Sequence, residues 1–179
     1  LYSKSCRAGY ALSCIEQAAL MLETAKRSSE WRFIAQQLEV ACRYGQMNRC
    51  ADLAVLYHQG KGVRRNLPTA SALYQSTCAT GVASSCHSLG ELYLEMEPPN
   101  NEKAAQILYK ACEAGYSQSC SKYGSMVIDG IGTEQNLSYG LKYMNRGCEA
   151  GDLEGCLVLA EAFAKGKGVE QDISKATKY

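Results

Sequence analysis

The sequence has almost no net charge and no long apolar run. Its 179 residues carry 19 lysines and arginines against 18 aspartates and glutamates, for a net charge of +1. This balance provides no broad positive surface, so we expect neither nucleic acid nor an anionic membrane as a partner. No apolar stretch approaches the roughly 18 residues that cross a bilayer, so we expect no transmembrane segment in this range.

Histidine is scarce, and the short motifs of metal and redox sites are missing. The two histidines, His58 and His87, are 29 residues apart, and no C-x-x-C motif occurs. Zinc ligands usually come in pairs about two to four residues apart, and thiol redox centres usually use C-x-x-C. The glycine-rich segments lack the preceding strand and the G-x-x-x-x-G-K-[ST] motif of a phosphate loop. We therefore expect no metal and no cofactor.

Cysteine, by contrast, is abundant and regularly spaced. All ten cysteines form five pairs in which seven residues separate the two cysteines and a glycine lies three positions after the first. Successive pairs begin 36, 36, 34 and 36 residues apart, a period typical of repeat proteins. In a reducing cell so many thiols would need a metal or a catalytic role, so the spacing favours structural disulfides and an oxidising compartment. The five predicted disulfides are Cys6–Cys14, Cys42–Cys50, Cys78–Cys86, Cys112–Cys120 and Cys148–Cys156.

The sequence pattern of each repeat predicts two helices joined by a loop. After each second cysteine, apolar residues recur three and four positions apart, which predicts a helix with one buried face, here called helix A. A second helix, here called helix B, leads to the first cysteine of the next pair. The predicted ranges are 15–23, 51–58, 87–94, 121–129 and 157–165 for helix A, and 31–44, 68–80, 102–114, 138–150 and 174–179 for helix B.

Three features predict how these helices end and pack. The glycine within each cysteine pair is expected to cap the end of helix B. Asn66, Asn136, Asp152 and Asp172 fall at helix starts, where their side chains can accept backbone N–H groups. Four positions after each second cysteine the residue is always small, and seven positions after it the residue is large. This alternation predicts close packing between neighbouring helices.

The repeats resemble a known family. The pattern A-C-E-A-G-x-x-x-x-C-x-x-x-G at residues 111–124 resembles the Sel1-like repeat, and so does Gly-Lys-Gly-Val followed by Ala70 and, again, by Ala176. The resemblance covers essentially the whole chain, as about four complete repeats and two partial ones. It implies an all-α fold: one solenoid domain over residues 1–179, with helix-turn-helix repeats stacked into a right-handed α/α superhelix and stapled by the C-x7-C disulfides.

The function that this resemblance implies is binding rather than catalysis. Most family members hold partner proteins, so we expect a non-enzymatic, monomeric scaffold or adaptor with a protein or peptide partner in its concave groove. The cysteine pairs are similar to those of the Helicobacter cysteine-rich proteins. The family resemblance implies a bacterial envelope or secreted protein, in the periplasm or outside the cell, or a toxin-immunity protein like some other bacterial members. Two alternatives stay open. One is a weak β-lactamase or penicillin-binding protein, as in that branch, and the other is an assembly factor of the mitochondrial intermembrane space.

The ends of the sequence fall within the repeat pattern. The chain begins at Leu1 and ends at Tyr179, in the middle of a predicted helix B. We therefore expect it to be the ordered part of a longer or processed chain, with any signal peptide or anchor outside this range.

The candidate binding surface consists of the second and fifth positions after each second cysteine on helix A. These positions vary while the packing positions are uniform, as a recognition surface on a constant frame requires. The alternative is that they are merely solvated. The predicted groove residues are Glu16, Asp52, Ser88, Glu91, Lys122, Ser125 and Glu161, with His87 beside them.

One short motif has the spacing of a catalytic site. The segment from Ser119 to Lys122 matches the S-x-x-K motif of serine β-lactamases, yet it lies within a cysteine pair at the start of a helix. We expect two surface serines, Ser119 and Ser121, and a solvated lysine there, and hence no catalytic residue. His87 is likewise expected to be an ordinary surface histidine.

Overall fold

The chain is built from helices alone over the range that can be described. The computed structural model describes the backbone of residues 11–179 and the side chains from Ile15 onward, and no strand occurs in that range. The ten described helices are α1 (Ala11–Met21), α2 (Ser28–Arg43), α3 (Met47–Gln59), α4 (Leu67–Ala79), α5 (Ala83–Glu95), α6 (Asn101–Glu113), α7 (Ser117–Asp129), α8 (Leu137–Glu149), α9 (Leu153–Lys165) and α10 (Ile173–Ala176). The odd-numbered helices are the predicted helices A, and the even-numbered ones are the predicted helices B.

The chain forms two compact units. Unit 1 ends at Val82 and contains α1 to α4, whereas unit 2 begins at Ala83 and contains α5 to α10. Within each unit every helix packs against the next one along the chain. Such neighbour-to-neighbour packing is the rule in repeat proteins, where one repeat buries its apolar face on the next.

Helix A begins earlier than the sequence predicts. Helices α3, α5, α7 and α9 each start three residues before the second cysteine of the pair, which therefore lies in the first turn of the helix. The reason is that the turn needs only three residues, such as residues 114–116 between α6 and α7. Gly115 has a φ of +89°, in the left-handed region, and Tyr116 is extended. A left-handed glycine at the end of a helix reverses the chain with no side-chain clash.

The helix caps follow the prediction at three of four positions. The side chains of Asn66, Asn136 and Asp172 accept backbone N–H groups at the starts of α4, α8 and α10. Asp152 occupies the position before α9, but its side chain makes no capping hydrogen bond. The prediction for the Asp152 side chain is therefore wrong. Its Oδ2 is buried and has no hydrogen-bond partner, so the carboxylate points into the protein instead.

The small residues on helix A allow the close packing that was predicted. A Cβ atom added to Gly124 in α7 would lie 2.8 Å from the backbone oxygen of Gly140 in α8. A Cβ atom added to Gly90 in α5 would lie 2.5 Å from Cγ of Leu108 in α6. The prediction missed one packing position, the sixth after the second cysteine. This position holds the buried residues Leu56, Leu92, Met126 and Ala162.

The cysteine pairs form the predicted disulfides wherever both partners can be described within one unit. Disulfides join Cys42 to Cys50, Cys112 to Cys120 and Cys148 to Cys156, with Cα–Cα distances of 4.7, 4.6 and 4.7 Å. Cys78 and Cys86 are disulfide-bonded as well. The pair of Cys6 and Cys14 lies outside the described side chains. Each described bond within a unit connects the last turn of a helix B to the first turn of the following helix A.

Candidate functional site

The predicted groove positions on helix A are all accessible to solvent. None of the second and fifth positions is buried, whereas the fourth position between them is buried in four of the five helices A, at Ala18, Ala54, Gly90 and Gly124. In unit 1 these residues are Glu16 and Asp52, and in unit 2 they are Ser88, Glu91, Lys122, Ser125 and Glu161. They present a mixed set of carboxylates, hydroxyls and one ammonium group.

Several of these side chains already have polar partners on their own helix. The Asp52 carboxylate accepts from the Arg49 guanidinium at 3.1 Å, and Glu161 forms an ion pair with Lys165. By contrast, no carboxylate of the described chain pairs with Lys122. Its ammonium group is therefore available to an acidic group on a partner.

His87 is the residue whose environment differs most from the prediction. Its side chain is only 12% exposed, and its Nδ1 lies 2.9 Å from Oγ of Ser119, 32 residues later. Its ring packs on that of Tyr116 with the centroids 4.9 Å apart, and its Nε2 lies 3.6 Å from the Glu91 carboxylate. The prediction of an ordinary surface histidine is wrong, because α7 brings Tyr116 and Ser119 over the imidazole.

The burial of His87 has an electrostatic consequence. Burial lowers the pKa of His87 below its usual value, because an imidazolium loses hydration inside the protein. The carboxylates of Glu91 and Asp152 oppose this effect, while the Lys122 ammonium adds to it. The lowered pKa favours a neutral imidazole, which can exchange one hydrogen bond with Ser119.

The serines of the S-x-x-K motif are not surface residues, and here too the prediction is wrong. Ser119 and Ser121 are both fully buried. The Ser119 hydroxyl forms a hydrogen bond with His87. Ser121 lies at a close contact between α7 and α8, because a Cβ atom added to Gly147 in α8 would come within 2.2 Å of the Ser121 Oγ. A nucleophile must reach a substrate, so a buried Ser119 does not serve as one.

A pocket in unit 1, which we call the Trp31 pocket, was not predicted. It has a volume of about 310 Å³ and is lined by Leu22, Trp31, Asp52, Val55, Leu56, Gln59 and Lys61. Lys61 places its Nζ 5.2 Å from the centroid of the Trp31 ring. The neighbouring Gly62 allows this, because a Cβ there would lie 2.2 Å from the Trp31 backbone oxygen. Two clues were in the sequence: Asp52 and Val55 occupy the second and fifth positions, and Trp31 is the only tryptophan.

Unit 2 carries an aromatic cluster that was not predicted either. Tyr143 of α8 contacts three other tyrosines, with ring centroids 4.8 Å away for Tyr123, 5.1 Å for Tyr139 and 6.1 Å for Tyr109. Burial raises the pKa of the Tyr143 phenol, and its hydrogen bond with Tyr139 adds to this effect. Tyr109 and Tyr139 are exposed at the edge of the cluster, where aromatic side chains can anchor a partner.

The described part of the chain contains neither a cluster of metal ligands nor a membrane-crossing helix. Between residues 11 and 179, no group of three or more His, Cys, Asp or Glu residues could hold a metal ion. No helix in the same part of the chain has the length and apolar character needed to cross a bilayer.

Known proteins with related sequences contain the same repeat. The Sel1 repeat matches residues 50–81, 83–116, 117–152 and 153–179. Cytochrome c oxidase assembly factor 7 from Danio rerio is 30% identical over 132 residues, which cover 68% of this chain and 57% of the relative. The chain therefore spans little more than half the length of that curated relative.

Solved structures show the same fold. A Sel1 repeat protein from Oxalobacter formigenes superposes with a TM-score of 0.83 at 18% identity, over 96% of this chain and 71% of the other. The cysteine-rich protein B of Helicobacter pylori superposes with a TM-score of 0.52 at 26% identity, over 64% of this chain and 83% of the other. With paired helices in each repeat and repeat matches over most of its length, the chain belongs to the Sel1 repeat family.

Proposed function

We propose that the protein is a non-enzymatic scaffold that binds a protein or peptide partner along its helices A. One observation carries this proposal: the second and fifth positions after each second cysteine stay accessible and vary in chemistry, while their neighbours form a uniform packed frame. Sel1 repeats generally mediate protein interactions, and repeat proteins use such a frame to present variable contact residues.

The proposed compartment is an oxidising one, because disulfides persist there and are reduced in the cytosol. We propose the bacterial periplasm or the extracellular space, with the mitochondrial intermembrane space as the alternative. The similarity to the Danio rerio protein, which is named as an assembly factor of cytochrome c oxidase, favours the alternative. In that case the partner would be a subunit or another factor of that enzyme.

A hydrolase, such as a weak β-lactamase, is less well supported by the site. The S-x-x-K motif is its only sequence signal, and Ser119 is fully buried with His87 on its hydroxyl. A β-lactam carbonyl could reach this hydroxyl only if α5 and α7 separated.

A matched pair of double variants tests the binding surface. The first, Glu91→Gln with Lys122→Gln, removes one acidic and one basic group from helices A of unit 2. The control, Glu102→Gln with Lys110→Gln, removes the same charges from the exposed face of α6, a helix B. Affinity capture from the source organism, followed by mass spectrometry, should show a partner that is lost with the first variant and retained with the control.

The result also depends on an intact fold, which thermal unfolding followed by circular dichroism checks for both variants. Equal capture by the wild type and both variants would contradict a binding surface on these helices. Loss of the partner with the control alone would show that the binding surface lies on a helix B instead.

A further inference from the structure

The Trp31 pocket has an apolar floor and a charged rim. Trp31, Val55 and Leu56 provide the apolar surface, and its volume of about 310 Å³ lies at the lower end of the range of ligand pockets. It is therefore suited to one large apolar side chain, such as leucine or phenylalanine. Trp31 and Val55 are only partly buried, so the floor can be reached from solvent.

The charge at the rim is unbalanced. Asp52 is neutralised by Arg49, 3.1 Å away. Lys61 is exposed, and no carboxylate of the described chain pairs with it. Its ammonium group rests 5.2 Å from the Trp31 ring centroid, an interaction that is weak at an exposed site. A carboxylate arriving beside the pocket would therefore find a positively charged group without an ionic partner.

The surroundings extend this imbalance. Residues 15–82, the part of unit 1 with described side chains, contain eight lysines and arginines against five aspartates and glutamates, whereas residues 83–179 contain nine against thirteen. The loop after α3 carries Lys61, Arg64 and Arg65 and no acidic residue. Arg65 is held in place, because its Nε donates to the His58 backbone oxygen at 3.0 Å. A net positive surface attracts an acidic partner before contact is made.

We propose that the Trp31 pocket binds an acidic peptide segment, which places one large apolar side chain on Trp31, Val55 and Leu56 and a neighbouring carboxylate on Lys61. This inference rests on the proposed scaffold function and names the chemistry of the partner. The apolar floor favours a peptide over nucleic acid, because phosphate binding alone would not use it.

The single tryptophan makes the pocket directly observable. Trp31 emission is measured in the oxidised full chain during titration with a ten-residue synthetic peptide that has a central phenylalanine flanked by glutamates. We expect a saturable change in emission that weakens as salt is added, because added ions screen the attraction. A peptide with lysines in place of the glutamates, and one with alanine in place of the phenylalanine, should both bind at least tenfold more weakly.

Two variants locate the binding without disturbing the core. Lys61 and Gln59 are both exposed, so Lys61→Gln and Gln59→Glu should leave the melting temperature unchanged. We expect each variant to weaken the acidic peptide about tenfold, the first by removing the ionic partner and the second by adding a repelling charge. Lys110→Gln on the exposed face of α6 in unit 2 is the matched control and should bind the peptide with wild-type affinity.

Three results would overturn the inference. These are equal binding of the acidic and the basic peptide, unchanged affinity in Lys61→Gln, and tighter binding of a single-stranded oligonucleotide than of the acidic peptide. If the peptide fails but partner capture still depends on Glu91 and Lys122, only the Trp31 pocket is rejected. If both experiments fail, the proposed scaffold function is rejected as well.

Discussion

At the scale of single residues, His87 couples the packing of unit 2 to pH. The imidazole is surrounded by Ser119 and Tyr116 from α7 and its start, by Glu91 from its own helix, and by the more distant charges of Lys122 and Asp152. Because burial is the largest effect, the folded protein holds the neutral form more strongly than the unfolded chain does.

We therefore expect acid to destabilise the protein through His87. As the pH falls below the unfolded-state pKa of a histidine, about 6.5, the unfolded chain binds a proton more readily than the folded protein does. The free energy of unfolding therefore decreases until the pH passes the lower pKa of His87 in the folded state. Melting temperatures between pH 7.5 and pH 5 should fall more for the wild type than for His87→Gln. The control His58→Gln removes one imidazole from unit 1 and leaves the contacts of His87 intact. An equal fall in His87→Gln would exclude this role.

The glycines of helix A provide a second prediction at this scale. In an open helix, replacing glycine by alanine stabilises the protein by up to about 1 kcal/mol. At Gly124 the added Cβ meets the backbone of Gly140, which cannot move aside, so Gly124→Ala should instead destabilise by roughly 1–3 kcal/mol. At Gly90 it meets Cγ of the fully buried Leu108 at 2.5 Å, so Gly90→Ala should be destabilising as well. Urea unfolding measures both variants, and a gain in stability in either one would contradict the prediction.

At the scale of helices, each described disulfide within a unit clamps the end of a helix B to the start of the next helix A. Closing a loop of this length should stabilise the protein by roughly 2.5 kcal/mol. Replacing Cys112 and Cys120 together by serine should lower the free energy of unfolding by about that amount, with the helix content at low temperature retained. A double variant that unfolds at the wild-type urea concentration would show that the disulfide adds nothing to the packing.

Alkylation of the cysteines tests directly whether the disulfides are formed. No cysteine that can be described is free, so alkylation of the native protein without reductant should add no mass. After reduction, alkylation should modify all ten cysteines. Modified thiols in the unreduced protein would argue against the oxidising compartment.

Helix positions were largely predictable because they depend on nearby residues. The caps at Asn66, Asn136 and Asp172 and the left-handed Gly115 act within a few positions of their own helices. The early start of helix A was missed because the three-residue turn leaves the second cysteine inside the helix. The burial of the sixth packing position was missed because helix A contacts more than one neighbouring helix.

At the scale of the whole molecule, repeat architecture should confine the effect of a substitution to its neighbourhood. In such proteins stability is close to a sum of repeats and nearest-neighbour contacts. Gly124→Ala should therefore speed amide hydrogen exchange in α7 and α8 and leave α2 and α3 at wild-type rates. Faster exchange throughout both units would show that the chain unfolds as one cooperative structure.

The sequence by itself determined the repeat, the paired helices, the glycine turns and the cysteine pairing, because each of these depends on residues within about one helical turn or one short loop. Only the tertiary structure decided which side chains from different repeats meet. Ser119 covers His87 from 32 positions away, and Lys61 covers Trp31 from the next repeat. These contacts depend on how neighbouring helices are offset, and local spacing does not encode that offset. The same reason explains why the burial of Ser119 and Ser121 and the presence of the Trp31 pocket were not predicted.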